Sequence, residues 1–247
     1  MFELVNIIAL ALVGGVLGLV GGLIMLAVKP WSRVLSTYAV PFATGVLLTV
    51  SLLGLLPEAA DIIGEAAFLA VFLGFLASYL FESAFFALHH HEGHAHEAKQ
   101  KASVGLIIFG DTIHNFIDGV AIAAAYLINP GLGLITAIST FLHEVPHEIG
   151  DFGILLKRGW PNKKIVAVNL ISAFSTIIGA LAVFYFAPSQ ALEGYLLAGA
   201  AGLFLYLGAS DFLPQAEESG NKLKTVLVLM LGMLAMYVTL MAIPHSR

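Results

Sequence analysis

The chain has 247 residues, 59% of them hydrophobic and 11% charged, with a mean hydropathy of +0.94 and a net charge of -5. Soluble domains are about 25% charged, so a soluble domain is excluded and a polytopic membrane protein is predicted. The absence of cysteine removes disulfides, thiolate metal sites and thiol nucleophiles together.

A membrane-spanning helix needs about 20 apolar residues. By that measure the sequence predicts an all-α protein with eight spans, at 2–28, 38–57, 65–88, 103–127, 132–156, 164–187, 194–213 and 223–243. The first run lacks a basic start and is long enough to span, so a removable signal peptide is not expected. Short connections predict antiparallel neighbours and one transmembrane domain over 1–247. Lys29, Arg33, Lys99, Lys101, Lys157, Arg158, Lys163, Lys164, Lys222 and Lys224 all fall in alternate loops, and only Arg247 lies on the other side. The positive-inside rule makes those loops cytoplasmic and both termini extracytoplasmic; the plasma (inner) membrane is the expected location.

The second span introduces an internal echo. FATGVLLTVSLLGLLPEA at 42–59 and AAGLFLYLGASDFLPQA at 200–216 share Ala43/Ala200, Gly45/Gly202, Leu56/Leu213, Pro57/Pro214 and Ala59/Ala216 at one offset of 157. Lying in the second and seventh spans, they would cross in opposite directions, as in the inverted repeats of secondary transporters. The shared proline is expected to end both segments alike. Glu58, Asp61 and Glu65 follow as an acidic group that either draws cations to an outer mouth or is a solvated loop.

The third span carries Glu82 near its end and leads into HHHEGHAH at 89–96. In a cytoplasmic loop at 89–102, His89, His90, His91, His94 and His96 are suited to capturing metal.

The fourth and fifth spans hold most of the acids. A carboxylate near the bilayer centre costs at least about 2.5–3.5 kcal/mol on insertion scales, yet Asp111, Asp118, Glu144, Glu148, Asp151 and Asp211 all sit within spans with no lysine or arginine beside them. At about 100° per residue, Asp111, His114, Asn115 and Asp118 form one stripe. His143, Glu144, His147, Glu148 and Asp151, in HEVPHEIGD, form another. The tight turn around Asn129 makes the two helices neighbours. His114 and His143 each lie about eleven residues into a span, so both stripes meet near the midplane. The convergence predicts a metal site of imidazole and carboxylate, suited to a borderline transition metal. His114, His143, His147 and Asp118 offer a tetrahedral set, and Asn115 and Glu144 add oxygen for a second ion. Asp111, Glu148, Asp151, Asn169 and Asp211 are candidates for a pathway or secondary role. Pro146 removes a helical hydrogen bond within this helix. In the sixth span Asn169, Ser172 and Thr176 form a stripe that either lines the path or acts as helix glue.

These motifs resemble the ZIP (Zrt/Irt-like) family of divalent-metal transporters. HNFIDG at 114–119 is similar to the family's His-Asn-x-x-Asp/Glu-Gly, and HEVPHEIGD matches the HExPHExGD signature of one subgroup. The resemblance implies a non-enzymatic importer of zinc, or of iron, manganese or cadmium, with the metal as cargo and no cofactor. It implies a binuclear site, with His114, Asp118, His143 and His147 forming one half and Asn115 and Glu144 the other, bridged by Asp118 and His147. Many members carry a histidine where this chain has Gly54 and an aspartate where it has Val50, which leaves the second span without an extra ligand. The expected partners are divalent ions and the lipid bilayer, with a homodimer as one candidate state and no nucleic acid. The rival reading is an intramembrane zinc protease, because HEVPH satisfies H-E-x-x-H with Glu144 as general base; Pro146 and the spare ligands at Asp111 and Asp151 oppose it.

Overall fold

A computed structural model describes residues 2–27, 29–90, 96–187, 189–217 and 222–245, with the backbone path alone for 29–36, 85–90 and 96–103. The histidines expected to capture metal lie outside the described residues at 91 and 94, and outside the described side chains at 89, 90 and 96.

Among the described residues the chain is helical throughout, without a strand. Seven helices are long and apolar enough to cross a membrane: α1 (Phe2–Ala27), α2 (Thr37–Ile63), α3 (Ala66–Ala84), α4 (Val104–Ile128), α6 (Asn162–Phe186), α7 (Gln190–Glu217) and α8 (Lys222–Ala242). Between α4 and α6 runs the eighth long helix, α5 (Pro130–Lys157), which carries the HEVPHEIGD cluster and is correspondingly less apolar. The chain is an integral, multi-pass membrane protein. Large apolar side chains such as Phe68, Phe72, Ile171, Ile178, Leu227 and Met230 face outward, as they do where hydrocarbon replaces water.

Local chemistry fixes the α4–α5 corner. Asn129 alone separates the two helices; its side chain accepts a hydrogen bond from the Gly131 N–H at 2.7 Å, and Pro130 occupies the first turn. Both choices suit a helix start, where backbone N–H groups lack intrahelical partners. The helix then runs unbroken through Pro146 to Lys157.

The internal echo is present in the backbone itself. Val50–Leu55 and Leu207–Phe212 are both π-helical, and each is followed by Leu-Pro at the same offset of 157. Neither proline ends its helix as expected. Pro57 lies in the continuing Leu56–Ile63 segment and Pro214 in Leu213–Glu217. The wider turn that precedes each proline accommodates its missing N–H and its ring, so the helix passes on instead of stopping.

Packing repeats the symmetry. A methyl group built on Gly45 of α2 would lie 2.1 Å from the Leu229 carbonyl of α8, and one on Gly202 of α7 would lie 2.1 Å from the Val71 carbonyl of α3. In return Gly232 of α8 abuts Phe42 of α2 and Gly74 of α3 abuts Gly199 of α7, with built methyls at 2.1 and 2.3 Å. Exchanging α2 with α7 and α8 with α3 turns one contact into the other. Small residues let transmembrane backbones approach closely, which is the main source of helix attraction in lipid. A hydrogen bond from Ser51 Oγ to the Ala201 carbonyl, at 2.5 Å, ties α2 to α7. The remaining helices follow the same rule. Gly119 of α4 and Gly179 of α6 each meet the other helix's backbone, and α1 and α4 flank α5.

Candidate metal centre

The site grows from the α4–α5 pair. Four-residue spacing on α4 puts His114 one turn from Asp118, and the same spacing on α5 stacks His143, His147 and Asp151. The antiparallel corner at Asn129 then sets the two stripes face to face. Ring centroids of His114 lie 5.4 Å from His143 and 4.9 Å from His147, so the three imidazoles share one depth.

One atom each from His114, Asp118, His143 and Glu144 falls within a sphere of mutual distances no greater than 4.8 Å, and all four residues are buried. His114 Nε2 stands 3.1 Å from Glu144 Oε1 and 3.6 Å from Asp118 Oδ2, while His143 Nε2 stands 3.2 Å from Asp118 Oδ2. None of these side-chain atoms has a hydrogen-bond partner of normal geometry. Such groups are strongly disfavoured in an apolar interior unless a counter-charge meets them. A divalent cation would satisfy all four at once.

His143 is set for that task. Its Nδ1 lies 3.0 Å from the Ser139 carbonyl. A carbonyl only accepts, so Nδ1 carries a proton, and in the neutral imidazole Nε2 then has a lone pair directed at the side of Asp118 and Glu144 where a metal would sit. Orienting a ligand imidazole through its second nitrogen is the usual support at metal sites.

A second grouping comprises Asp111, His147 and Asp151, and a third Asp111, Glu144 and Glu148. His147 Nδ1 is 3.8 Å from Asp111 Oδ1, and His147 is 24% exposed where His143 is fully buried. His147 thus groups with Asp111 and Asp151, and Glu144 with His114, Asp118 and His143. Asn115 is turned away from that group. It donates to Asp111 Oδ1 at 2.8 Å and accepts from Thr176 Oγ1 at 3.1 Å. On α6, Thr176 and Ser172 bond across to α4, the latter to Thr112 Oγ1 at 3.1 Å, and Asn169 bonds back to the Ile165 carbonyl. The stripe on α6 fastens α4. Asp211 accepts from Gln215 at 2.7 Å, and Glu82 accepts from the Tyr206 hydroxyl.

A cavity of about 710 Å³ opens between α3, α4, α5 and α7. Asp111, His114, His147, Asp151, Glu82 and Asp211 are its acidic and imidazole lining residues. On α5 it reaches Ile154, toward the end that carries Lys157 and Arg158. In the other direction His143 meets the Phe204 ring at 5.2 Å, and Phe204 belongs to a buried apolar cluster with Leu47, Val50, Ile135 and Ala201. The centre thus meets the cavity at Asp111, His114, His147 and Asp151 and buried apolar packing at His143.

Comparison with known proteins agrees with this geometry. The ZIP zinc transporter family model matches residues 87–240. The chain belongs to the ZIP zinc transporter family. Zinc transporter foi of Drosophila melanogaster is 42% identical over 130 residues, 53% of this chain and 18% of that protein. Zinc transporter ZIP4 of Homo sapiens is 40% identical over 109 residues, 44% of this chain and 17% of the relative. Zinc transporter ZIP10 of Homo sapiens is 44% identical over 113 residues, 44% of this chain and 13% of the relative. The chain thus spans under a fifth of the length of these relatives. The relatives named here are zinc transporters, and none of them is named as a protease.

The motif reading overlooked the α1 glycines that bring this ZIP centre together. Gly14, Gly18 and Gly22 recur every four residues, and methyls built on Gly18 and Gly22 would sit 2.5 Å from Glu144 Cβ and 2.6 Å from the Phe152 ring. Gly18 is the floor behind Glu144. The signal was present in GGVLGLVGG at 14–22, a small-xxx-small pattern.

Proposed function

We propose that this chain carries divalent metal, zinc first, across the membrane toward the cytoplasm, with iron, manganese and cadmium as further cargo. The observation that carries the proposal is a set of buried imidazole and carboxylate ligands without hydrogen-bond partners, beside a cavity within the helix bundle. Two imidazoles with two carboxylates favour a borderline ion such as Zn²⁺. The two negative charges of Asp118 and Glu144 equal the charge of one such ion. The binuclear site of the resemblance, with His147 and Asn115 among its ligands, is retained in a modified form: His147 receives the ion at the cavity floor, and Asn115 holds Asp111 in place.

The basic loops make the cavity's side of the centre cytoplasmic. Both termini then lie outside the cytoplasm, in a plasma (inner) membrane, and the lipid bilayer is the solvent for the outward apolar faces. On this reading the present conformation is inward-open. Transport requires a second arrangement in which Phe204 and its neighbours part and the cavity closes, an alternation for which paired inverted repeats are suited. Residues 1–247 act as one transporter domain, the histidines at 89–96 collect metal emerging on the cytoplasmic side, and the chain works as a homodimer.

Zinc uptake into proteoliposomes tests this reading. Wild-type flux is expected to saturate with zinc concentration, and His143→Ala and His147→Ala to abolish it, while Glu144→Gln separates the primary ligand from a relay role. Zinc binding without any flux would refute transport and return Glu144 to consideration as a hydrolytic base.

A further inference from the structure

Where α5 gives way to α6 the chain reads KRGWPNKK at 157–164. Lys157, Arg158, Lys163 and Lys164 put four cations into eight residues, and the sequence from 152 to 192 holds no aspartate or glutamate. All four side chains are exposed, and among the described residues no carboxylate pairs with any of them. The backbone beneath them is fixed. Gly159 takes a left-handed conformation, with φ of 77°. The Trp160 N–H donates to the Leu155 carbonyl at 3.2 Å and the Gly159 N–H to the Leu156 carbonyl at 2.9 Å, the paired bonds of a Schellman helix end. Trp160 is half-buried and packs against the apolar cluster that holds Phe152, Leu155 and Ile165. Lys164 Nζ stands 3.6 Å from its ring centroid, within reach of a cation–π attraction. Pro161 gives α6 no side-chain cap, so backbone N–H groups at the helix start stay open to an acceptor. Down α6 from Lys164, the residues Ala167, Ile171, Phe174 and Ile178 recur at three- and four-residue spacing and are all exposed, which sets an apolar seam below the cations.

We propose that this corner binds an anionic bilayer phospholipid such as phosphatidylglycerol, with Arg158 and Lys163 on its phosphate, Trp160 as the interfacial anchor and its acyl chains along the Ile171–Phe174–Ile178 seam. Both α5 and α6 cross the bilayer, so the turn between them lies at a membrane surface. Tryptophan is enriched at that level, and clustered lysines and arginines there attract anionic headgroups. The Arg158 guanidinium suits a phosphate because its planar fork can meet two oxygens at once, and Lys163 sits beside the open N–H groups of a helix start, which favour the same oxygens. Lys164 is engaged with the indole and holds that ring in place. The seam distinguishes a lipid from a free phosphate, since an inorganic anion has no apolar body to lie along it. Such a site requires only that α5 and α6 meet at a bilayer surface, on either side, and is independent of the metal carried. Because α5 also bears His143 and His147, a lipid held here pins the end of the metal-bearing helix to the membrane surface.

Native mass spectrometry of the detergent-purified full chain, titrated with phosphatidylglycerol or with phosphatidylcholine of the same acyl chains, tests the site. The wild type is expected to hold phosphatidylglycerol the more tightly, and equal affinity for the two lipids overturns the proposal. Each lysine or arginine near an anionic surface contributes about fivefold in affinity, so the double variant Arg158→Gln with Lys163→Gln is expected to bind phosphatidylglycerol about 25-fold more weakly. Its phosphatidylcholine binding is expected to stay unchanged. The double variant Lys222→Gln with Lys224→Gln removes two cations from another span end and is expected to keep wild-type affinity. Equal losses in the two double variants assign the effect to diffuse positive charge and overturn the site. If the first double variant is not monodisperse, Arg158→Gln alone serves, with an expected loss of about fivefold. Glycerol 3-phosphate offers the phosphate without acyl chains and is expected to bind far more weakly than the lipid; equal binding marks a free-anion site and overturns the lipid assignment. No zinc enters these measurements, so a failure here leaves the transport reading untouched, and a failure of transport leaves the lipid site standing.

Discussion

Gly119→Ala asks whether the α4–α6 contact holds the metal centre in place. The added methyl would lie 1.8 Å from the Thr176 carbonyl oxygen and 2.9 Å from the Ala180 nitrogen. Carbon and carbonyl oxygen ordinarily approach no closer than about 3.3 Å, so the helices must part by roughly 1.5 Å. Both obstacles are backbone, and no side-chain rotation relieves them. Parting of that size breaks the Thr176–Asn115 bond of 3.1 Å and the Ser175 bond to the Thr112 carbonyl of 2.8 Å. Two lost hydrogen bonds at about 1 kcal/mol each join an overpacking cost of about 1–3 kcal/mol. Alanine's better helix propensity returns about 1 kcal/mol, so the net loss is about 2–4 kcal/mol. For a chain of this size that lowers Tm by about 5–15 °C. Gly105→Ala on the same helix is the control, because nothing lies within 4 Å of a methyl there. Thermal unfolding in detergent, read by size-exclusion fluorescence, decides the matter. A Gly119→Ala midpoint within about 2 °C of Gly105→Ala would refute the close-packing argument.

Gly18→Ala places a methyl 2.5 Å from Glu144 Cβ. It is expected to weaken zinc binding about tenfold in calorimetric titration, since moving a ligand by about 1 Å acts like losing an outer-shell partner. Ser51→Ala removes the 2.5 Å bond to Ala201; it should cost about 1 kcal/mol of thermal stability and leave zinc affinity unchanged, because Ser51 is absent from every ligand group. Zinc at 100 times its Kd should stabilise wild type by about 2.7 kcal/mol. That gain should vanish in His143→Ala and on chelation, and a metal-independent Tm in wild type would count against the centre.

Eight spans and the meeting of two polar stripes were legible because both depend on local periodicity: a run length for each helix, and four-residue spacing for each ligand row. The depth match between His114 and His143 followed from a single geometric fact, the tight corner at Asn129. The division of ligands was not legible. Whether Glu144 or His147 sits nearer to Asp118 depends on the rotation of α5 against α4, and that rotation is set by Gly18 and Gly21 of α1 lying against Glu144 and Val145. The prolines misled for a related reason. Proline's missing N–H argues for a helix end, but a π turn one residue upstream of each Leu-Pro pair provides another solution, and single-residue rules do not register it.

The choice of neutralising charge carries a functional argument. A buried lysine or arginine beside Asp118 or Glu144 would satisfy those carboxylates permanently, and a static membrane protein gains by such pairing. This chain keeps all its lysines and arginines at loops or span ends and leaves Asp118, Glu144 and Glu148 without hydrogen-bond partners in its interior. The Ser139–His143 bond leaves His143 Nε2 facing these carboxylates. Such a centre is satisfied only while a cation is present, and its apo form is destabilised relative to its loaded form. The coupling works in both directions: occupancy drives the packing around α4 and α5, and a change in that packing alters occupancy. Close glycine contacts at Gly18, Gly119 and Gly179 leave that packing little slack, which is what the proposed carrier requires.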